Sequence, residues 1–197
     1  MRKIIYIILL LFIATPLFGQ STVIVAKKKA ACTYTSKNAQ TGTGANLDYT
    51  SAGSANKAVS FVANGTYSPR RLTASLKKTG SPTVTMQFII RQDAGESTSR
   101  TEPGTIVISI AATLDSSTLT TSYADYNIDI TALETASLTN GNVYWLQIYG
   151  GNSALNYVQW QYSTSGDEEE NYTTAPPTTW TEYDTSVTGN FTIWSCE

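Results

Sequence analysis

The sequence predicts an all-β chain, an antiparallel two-sheet β-sandwich of jelly-roll type with about eight or nine strands. Three observations carry this reading. Short runs of alternating apolar and polar residues recur, bounded by Gly, Pro, Asn and Ser. Nothing after residue 20 has a helical period. Each run has one apolar and one polar face, the pattern of antiparallel sheets packed through their inner faces. A closed barrel fits the same pattern and stays open as an alternative.

The chain opens with Arg2 and Lys3, an apolar run from Ile4 to Phe18, and then Gly19-Gln20-Ser21. A basic start, an apolar middle and a small residue at the end is the layout of a secretory signal peptide, here residues 1–19. The run is shorter than the ~20 apolar residues of a membrane-spanning helix. The mature protein is therefore expected to be secreted, extracellular or at the cell surface, with no membrane span. Residues 20–55 read as a polar lead-in rich in Gly, Ala, Ser and Thr (Thr41-Gly42-Thr43-Gly44-Ala45-Asn46), with one strand around Cys32–Tyr34. Residues 56–197 read as the sandwich domain.

Its first strand is Ala58-Val59-Ser60-Phe61-Val62, ended by the turn signal Asn64-Gly65. Leu72, Ala74 and Leu76 then alternate with Thr73, Ser75 and Lys77, up to the break Gly80-Ser81-Pro82. Val84, Met86, Phe88 and Ile90 form the next inward row, followed by a polar loop from Gln92 to Gly104. Ile106, Ile108 and Ile110 make another row, and Tyr126, Ile128 and Ile130 alternate with Asp125, Asn127 and Asp129. Leu133–Leu138 reads as a short turn of helix. Asn140-Gly141 introduces Val143–Tyr149, and Gly150 to Ala154 joins it to Leu155–Tyr162. The acidic loop Asp167–Glu170 and the Pro176-Pro177 segment follow, before Phe191, Ile193 and Trp194 close the domain.

Composition excludes several functions. Charged residues are 14% of the chain and the net charge is −2, so no basic field exists to attract nucleic acid. Lys27-Lys28-Lys29 reads as a solvated arm. Histidine is absent, which removes the commonest general base and zinc ligand. An enzyme would have to work with carboxylates, Tyr, Lys or Ser, and none is expected. The two cysteines, Cys32 and Cys196, lie near the ends of the mature chain and read as one disulfide in an oxidising compartment. Closing so long a loop contributes about 4–5 kcal/mol in the chain-entropy model. Two buried thiols are the alternative.

From Val59 to about Ser163 the chain resembles the "choice-of-anchor" type jelly-roll domains of secreted bacterial surface proteins, which have relatives in phage virion proteins. The resemblance rests on Ser60-Phe61, on Leu72-Thr73-Ala74-Ser75-Leu76-Lys77-Lys78-Thr79-Gly80-Ser81-Pro82, and on Val84-Thr85-Met86. It continues through Pro103-Gly104-Thr105, Leu138-Thr139-Asn140-Gly141 and Tyr144-Trp145-Leu146. No single piece is specific; their order is moderately so, over rather more than half of the mature chain. The resemblance implies a noncatalytic sandwich used for display, adhesion or glycan contact. The sequence departs from that pattern in showing no C-terminal sorting signal, transmembrane helix or second domain, so attachment is expected to be noncovalent or through a partner.

Three constellations are candidates for chemistry. If Val143–Tyr149 and Leu155–Tyr162 form a hairpin, Trp145, Gln147 and Tyr149 stand beside Tyr157, Gln159 and Gln161. Rings stack on the C–H faces of sugars, and amides both donate to and accept from hydroxyls. This face would bind polysaccharide or a cell-surface glycan; the bland alternative is that Trp145 and Tyr149 belong to the core or cover a sheet edge. Asp167, Glu169 and Asp184, with Glu168, Glu170, Asn171 and Glu182, are oxygen ligands for a structural calcium, set against the commoner solvated acidic loop. Paired-carboxylate catalysis has acids available (Asp93, Glu96, Glu102, Asp125, Asp129, Glu134, Glu182 and Asp184) but no catalytic motif. Asn64-Gly65-Thr66, Asn171-Tyr172-Thr173 and Asn190-Phe191-Thr192 match the N-glycosylation triplet, which is frequent by chance in a Thr-rich chain. The sequence thus points to a secreted, noncatalytic binding or adhesive module for carbohydrate. The alternative is a self-associating structural subunit of a virion, fibre or filament, whose lead-in donates a strand to a neighbour's sheet edge.

Overall fold

The computed structural model describes residues 33–38, 44–46, 54–95, 98, 100–130, 136–150, 155–163, 170–174, 180–184 and 188–195. The signal peptide, Cys32 and Cys196 lie outside the described residues. The strands are β1 (Thr33–Asn38), β2 (Gly44–Asn46), β3 (Ser54–Val62), β4 (Arg71–Thr79), β5 (Thr85–Asp93), β6 (Pro103–Asp115), β7 (Ala124–Asp129), β8 (Val143–Tyr149), β9 (Tyr157–Ser163), β10 (Glu170–Thr174), β11 (Thr181–Asp184), β12 (Thr188–Gly189) and β13 (Phe191–Ser195). One 3-10 turn, Ser116–Thr118, follows β6. Among the described residues no helix is long and apolar enough to cross a membrane.

The topology is a long hairpin rolled on itself. β5 and β6 pair antiparallel, and β4 with β7, β3 with β8 and β2 with β9 nest outside them. Pairing of β9 with β4 and of β8 with β5 then assigns alternate pairs to opposite sheets, β2-β9-β4-β7 and β3-β8-β5-β6. This is the jelly-roll arrangement the sequence predicts. The other strands widen it. β10 and β11 extend the second sheet beyond β3, giving six strands; β13, β1 and β12 bring the first to seven. β13 lies along the Arg71–Ala74 half of β4 and β9 along the Leu76–Thr79 half, so both share one side of the same strand.

Period-2 alternation builds the core. Leu72, Ala74 and Leu76 on β4, Met86, Phe88 and Ile90 on β5, and Leu146 and Ile148 on β8 are fully buried between the sheets. Each large apolar side chain so buried contributes about 1.5–3 kcal/mol. Aromatic rings join the layers. Phe61 of the six-stranded sheet meets Phe191 of the seven-stranded sheet edge-on at 5.6 Å, and Phe191 packs on Trp160 at 5.9 Å. Gly80 ends β4 in the left-handed region at φ 69, where a Cβ would collide with the Leu155 carbonyl. Its neighbour Ser81 donates its N–H to Asn156 Oδ1 at 2.7 Å, tying this turn to the entry of β9.

The short helix expected over 133–138 falls largely outside the described residues; Leu138 itself is buried and forms an antiparallel bridge with Tyr67. The acidic loop gives way at Glu170 to β10, where the Glu170–Val59 and Asn171–Ala58 pairs continue the six-stranded sheet. Sequence alternation does not announce β10 and β11, because the pairing of β10 with β3 and of β11 with β10, not apolar content, defines them.

Candidate functional site

The predicted face of six side chains does not form. Its two strands sit in different sheets: β8 lies between β3 and β5, and β9 pairs with β4, β2 and β12. The link between them crosses from one sheet to the other, as alternate pairs of a rolled hairpin require. Trp145 and Gln147 therefore cannot stand beside Tyr157, Gln159 and Gln161.

Trp145, Gln147 and Tyr149 do point away from the inter-sheet core, as alternation predicts, yet Trp145 is 0% and Gln147 2% exposed. Ser60 and Arg91 flank Trp145 on the neighbouring strands. The indole Nε1 donates to Asp93 Oδ2 at 2.8 Å. The same carboxylate accepts from Thr101 N at 2.8 Å and, through Oδ1, from Gly95 N at 2.9 Å. Arg91 donates through Nε to Gln147 Oε1 and through Nη1 to the Gly104 carbonyl, both at 2.7 Å. Its guanidinium also stands 5.8 Å from the Trp180 ring centre, and burial lowers its pKa. Together these groups latch the loop between β5 and β6 onto the sheet. Both carboxylate oxygens of Asp93 are thus engaged by structural donors. Tyr149, opposite Gln87 at the strand end, is half-buried.

Tyr157, Gln159 and Gln161 face outward on the seven-stranded sheet, all half-exposed. Tyr157 pairs with Thr79 and Gln159 with Lys77. Gln161 sits where β4, β9 and the β12–β13 junction meet. Its Oε1 accepts from Ser75 Oγ at 2.8 Å and from Asn190 Nδ2 at 3.2 Å. The Asn190 backbone bridges the same three strands, donating to Gln161 O at 2.8 Å and accepting from Ser75 N at 3.1 Å. Further along, Trp194 Nε1 donates to Thr73 Oγ1 at 2.9 Å, and Thr73 Oγ1 donates to Asn127 Oδ1 at 2.7 Å. An indole N–H can only donate, so the relay runs one way and fixes the Asn127 amide with its NH₂ outward. Arg71 stacks on Trp194 at 5.0 Å, its buried Nε without a hydrogen-bond partner. Lys77 stands 4.5 Å from the Tyr123 ring centre.

Thr73, Ser75, Asn127 and Asn190 were not among the site residues the sequence nominated. Alternation shows that Thr73, Ser75 and Asn127 face out. Only the pairing of β4 with β7, β9 and β13 shows that they meet.

Asp167 and Glu169 lie outside the described residues. Asp184 is on β11, opposite Glu170. No group of three metal-ligating residues occurs among the described residues. Asp125 and Asp129 are exposed on β7 with Asn127 between them. Comparison with family models, with curated proteins and with solved structures gives no match.

Proposed function

We propose that the chain is an exported, noncatalytic binding module that takes carbohydrate on the outer face of its seven-stranded sheet. The leader-like start, Arg2-Lys3 before the apolar run, supports export. One observation carries the ligand class. Asn127 and Gln161 have their amide oxygens occupied by neighbouring donors, which leaves both NH₂ groups to donate outward from fixed positions. Fixed donors on the same sheet face as the half-exposed Tyr157 ring and the Gln159 amide suit a ligand rich in hydroxyl acceptors and C–H faces. The row from Arg71 to Thr79 on β4 is about 27 Å long, enough for several sugar rings of an extended chain. Preorganisation matters here, because side chains already held lose little further freedom on binding.

A glycan array followed by affinity electrophoresis in the polysaccharides it selects tests this reading. Wild type is expected to be retarded, whereas Tyr157→Ala and Asn127→Ala should each lose most of the retardation with little change in melting temperature. Equal retardation of wild type and both variants, or none by any polysaccharide, removes the proposal.

A further inference from the structure

We propose that Asn64–Gly65 is a site of spontaneous deamidation in the folded protein, and that the fold shields the second Asn–Gly pair, Asn140–Gly141, from the same reaction. The two pairs lie side by side at one end of the sandwich. Gly141 N donates to Ala63 O at 2.8 Å, and Ala63 N donates to Asn142 O at 3.0 Å. Asn140 N donates to Thr66 Oγ1 at 3.1 Å. Asn142 N closes the second turn on Thr139 O at 3.1 Å, with Gly141 at φ 81, the geometry of a type II turn.

Deamidation needs the backbone nitrogen of the following residue to reach the asparagine side-chain carbon. At Asn140 that nitrogen belongs to Gly141 and is held by the Ala63 carbonyl. At Asn64 it belongs to Gly65, whose N–H makes no hydrogen bond among the described residues, and the Asn64 side chain is exposed. Glycine offers no Cβ to block the approach. Among the described residues, its two chain neighbours aside, the one heavy atom within 4 Å of where that Cβ would stand is Tyr67 Cδ1, at 3.6 Å.

The step balances with water alone. The deprotonated Gly65 nitrogen attacks Asn64 Cγ, the N–Cγ bond forms, the Cγ–Nδ2 bond breaks, and ammonia leaves carrying the displaced proton. Water then opens the cyclic imide at either carbonyl to give aspartate or isoaspartate. Each event replaces a neutral amide with a carboxylate. The isoaspartyl product also adds a methylene to the main chain beside Ala63, whose N–H and C=O both bond the neighbouring turn. The reaction thus converts an ordered turn contact into a weaker one as the protein ages.

The test is to incubate the folded protein for days in mildly alkaline buffer and map its peptides by mass spectrometry, with isoaspartyl methyltransferase labelling of the products. A parallel sample is held in denaturant. The Asn64 peptide is expected to convert at least tenfold faster than the Asn140 peptide in the folded protein, and the two at similar rates when unfolded. Gly65→Ala should slow the Asn64 conversion, and Asn64→Gln should abolish the labelling there. Equal conversion of both sites in the folded protein, or an Asn64 that reacts only when unfolded, overturns the proposal.

Discussion

The outer faces of the two sheets follow one rule of alternation and reach opposite ends. On the six-stranded sheet, Trp145 and Gln147 point away from the core and are nonetheless sealed, with Asp93 and Arg91 drawing the β5–β6 loop to them. On the seven-stranded sheet, Trp194, Thr73 and Gln161 point away from the core and stay half-open. Both faces carry a tryptophan whose indole N–H has a side-chain acceptor, Asp93 in one case and Thr73 in the other. An outward position is therefore not a surface position. What decides is whether another part of the chain folds over it.

The sharpest way to break this contrast is to remove the sealed acceptor. Asp93→Ala takes away the partner of Trp145 Nε1, Gly95 N and Thr101 N together. The buried indole N–H left unsatisfied costs about 1–3 kcal/mol and the two part-buried loop bonds about 0.5–1.5 kcal/mol each, so the expected loss is about 2–6 kcal/mol. Urea denaturation should show it as a lower midpoint. A loss below about 1 kcal/mol would mean that water replaces the carboxylate and that this face is no more closed than the other.

Much of the fold was legible in the sequence because it rests on local alternation: β4, β5, β8 and β9 stand close to where their apolar rows predict. The site was legible only in half. Tyr157, Gln159 and Gln161 could be assigned to one strand face by counting in twos. That Trp145 and Gln147 lie in the other sheet could not, because the sheet assignment of neighbouring strands is a long-range property of the roll. Asp93 was hidden for the same reason, being an acid in a polar loop until the sheet brings Trp145 beneath it. The strand donation that a structural subunit would use also meets an obstacle invisible to alternation. The outer strand β6 shifts register three times against β5, and bulged edges resist a new strand. At the far edge of the seven-stranded sheet, β7 exposes Asp125 and Asp129, and edge charges act likewise.

A second prediction concerns what holds the open face together at its end. β1 and β13 pair Thr33 with Ser195 and Tyr34 with Trp194. Cys32 and Cys196 each stand one residue beyond this pair in the sequence, and we expect them to form a disulfide in an oxidising compartment. The intact mass of the protein should therefore be two hydrogens below the reduced value. Reduction should lower stability by up to about 4–5 kcal/mol. Two alkylatable thiols in the unreduced, unfolded protein would refute the bond.

The smallest effect belongs to the open face and completes the comparison with Asp93. Thr73→Val keeps the shape of the side chain and removes the hydroxyl that accepts from Trp194 Nε1 and donates to Asn127 Oδ1. Water reaches this face, so the orphaned indole N–H and amide oxygen can be solvated. The expected loss is about 1 kcal/mol, the net worth of an ordinary hydrogen bond. Function should respond more strongly than stability. With its oxygen released, the Asn127 amide is free to rotate, and its NH₂ no longer has a fixed aim. On the carbohydrate reading, affinity should fall several-fold in Thr73→Val although the shape of the binding face is kept. A stability loss as large as that of Asp93→Ala would show instead that the Trp194 face is sealed too, and the distinction between the two sheets would collapse.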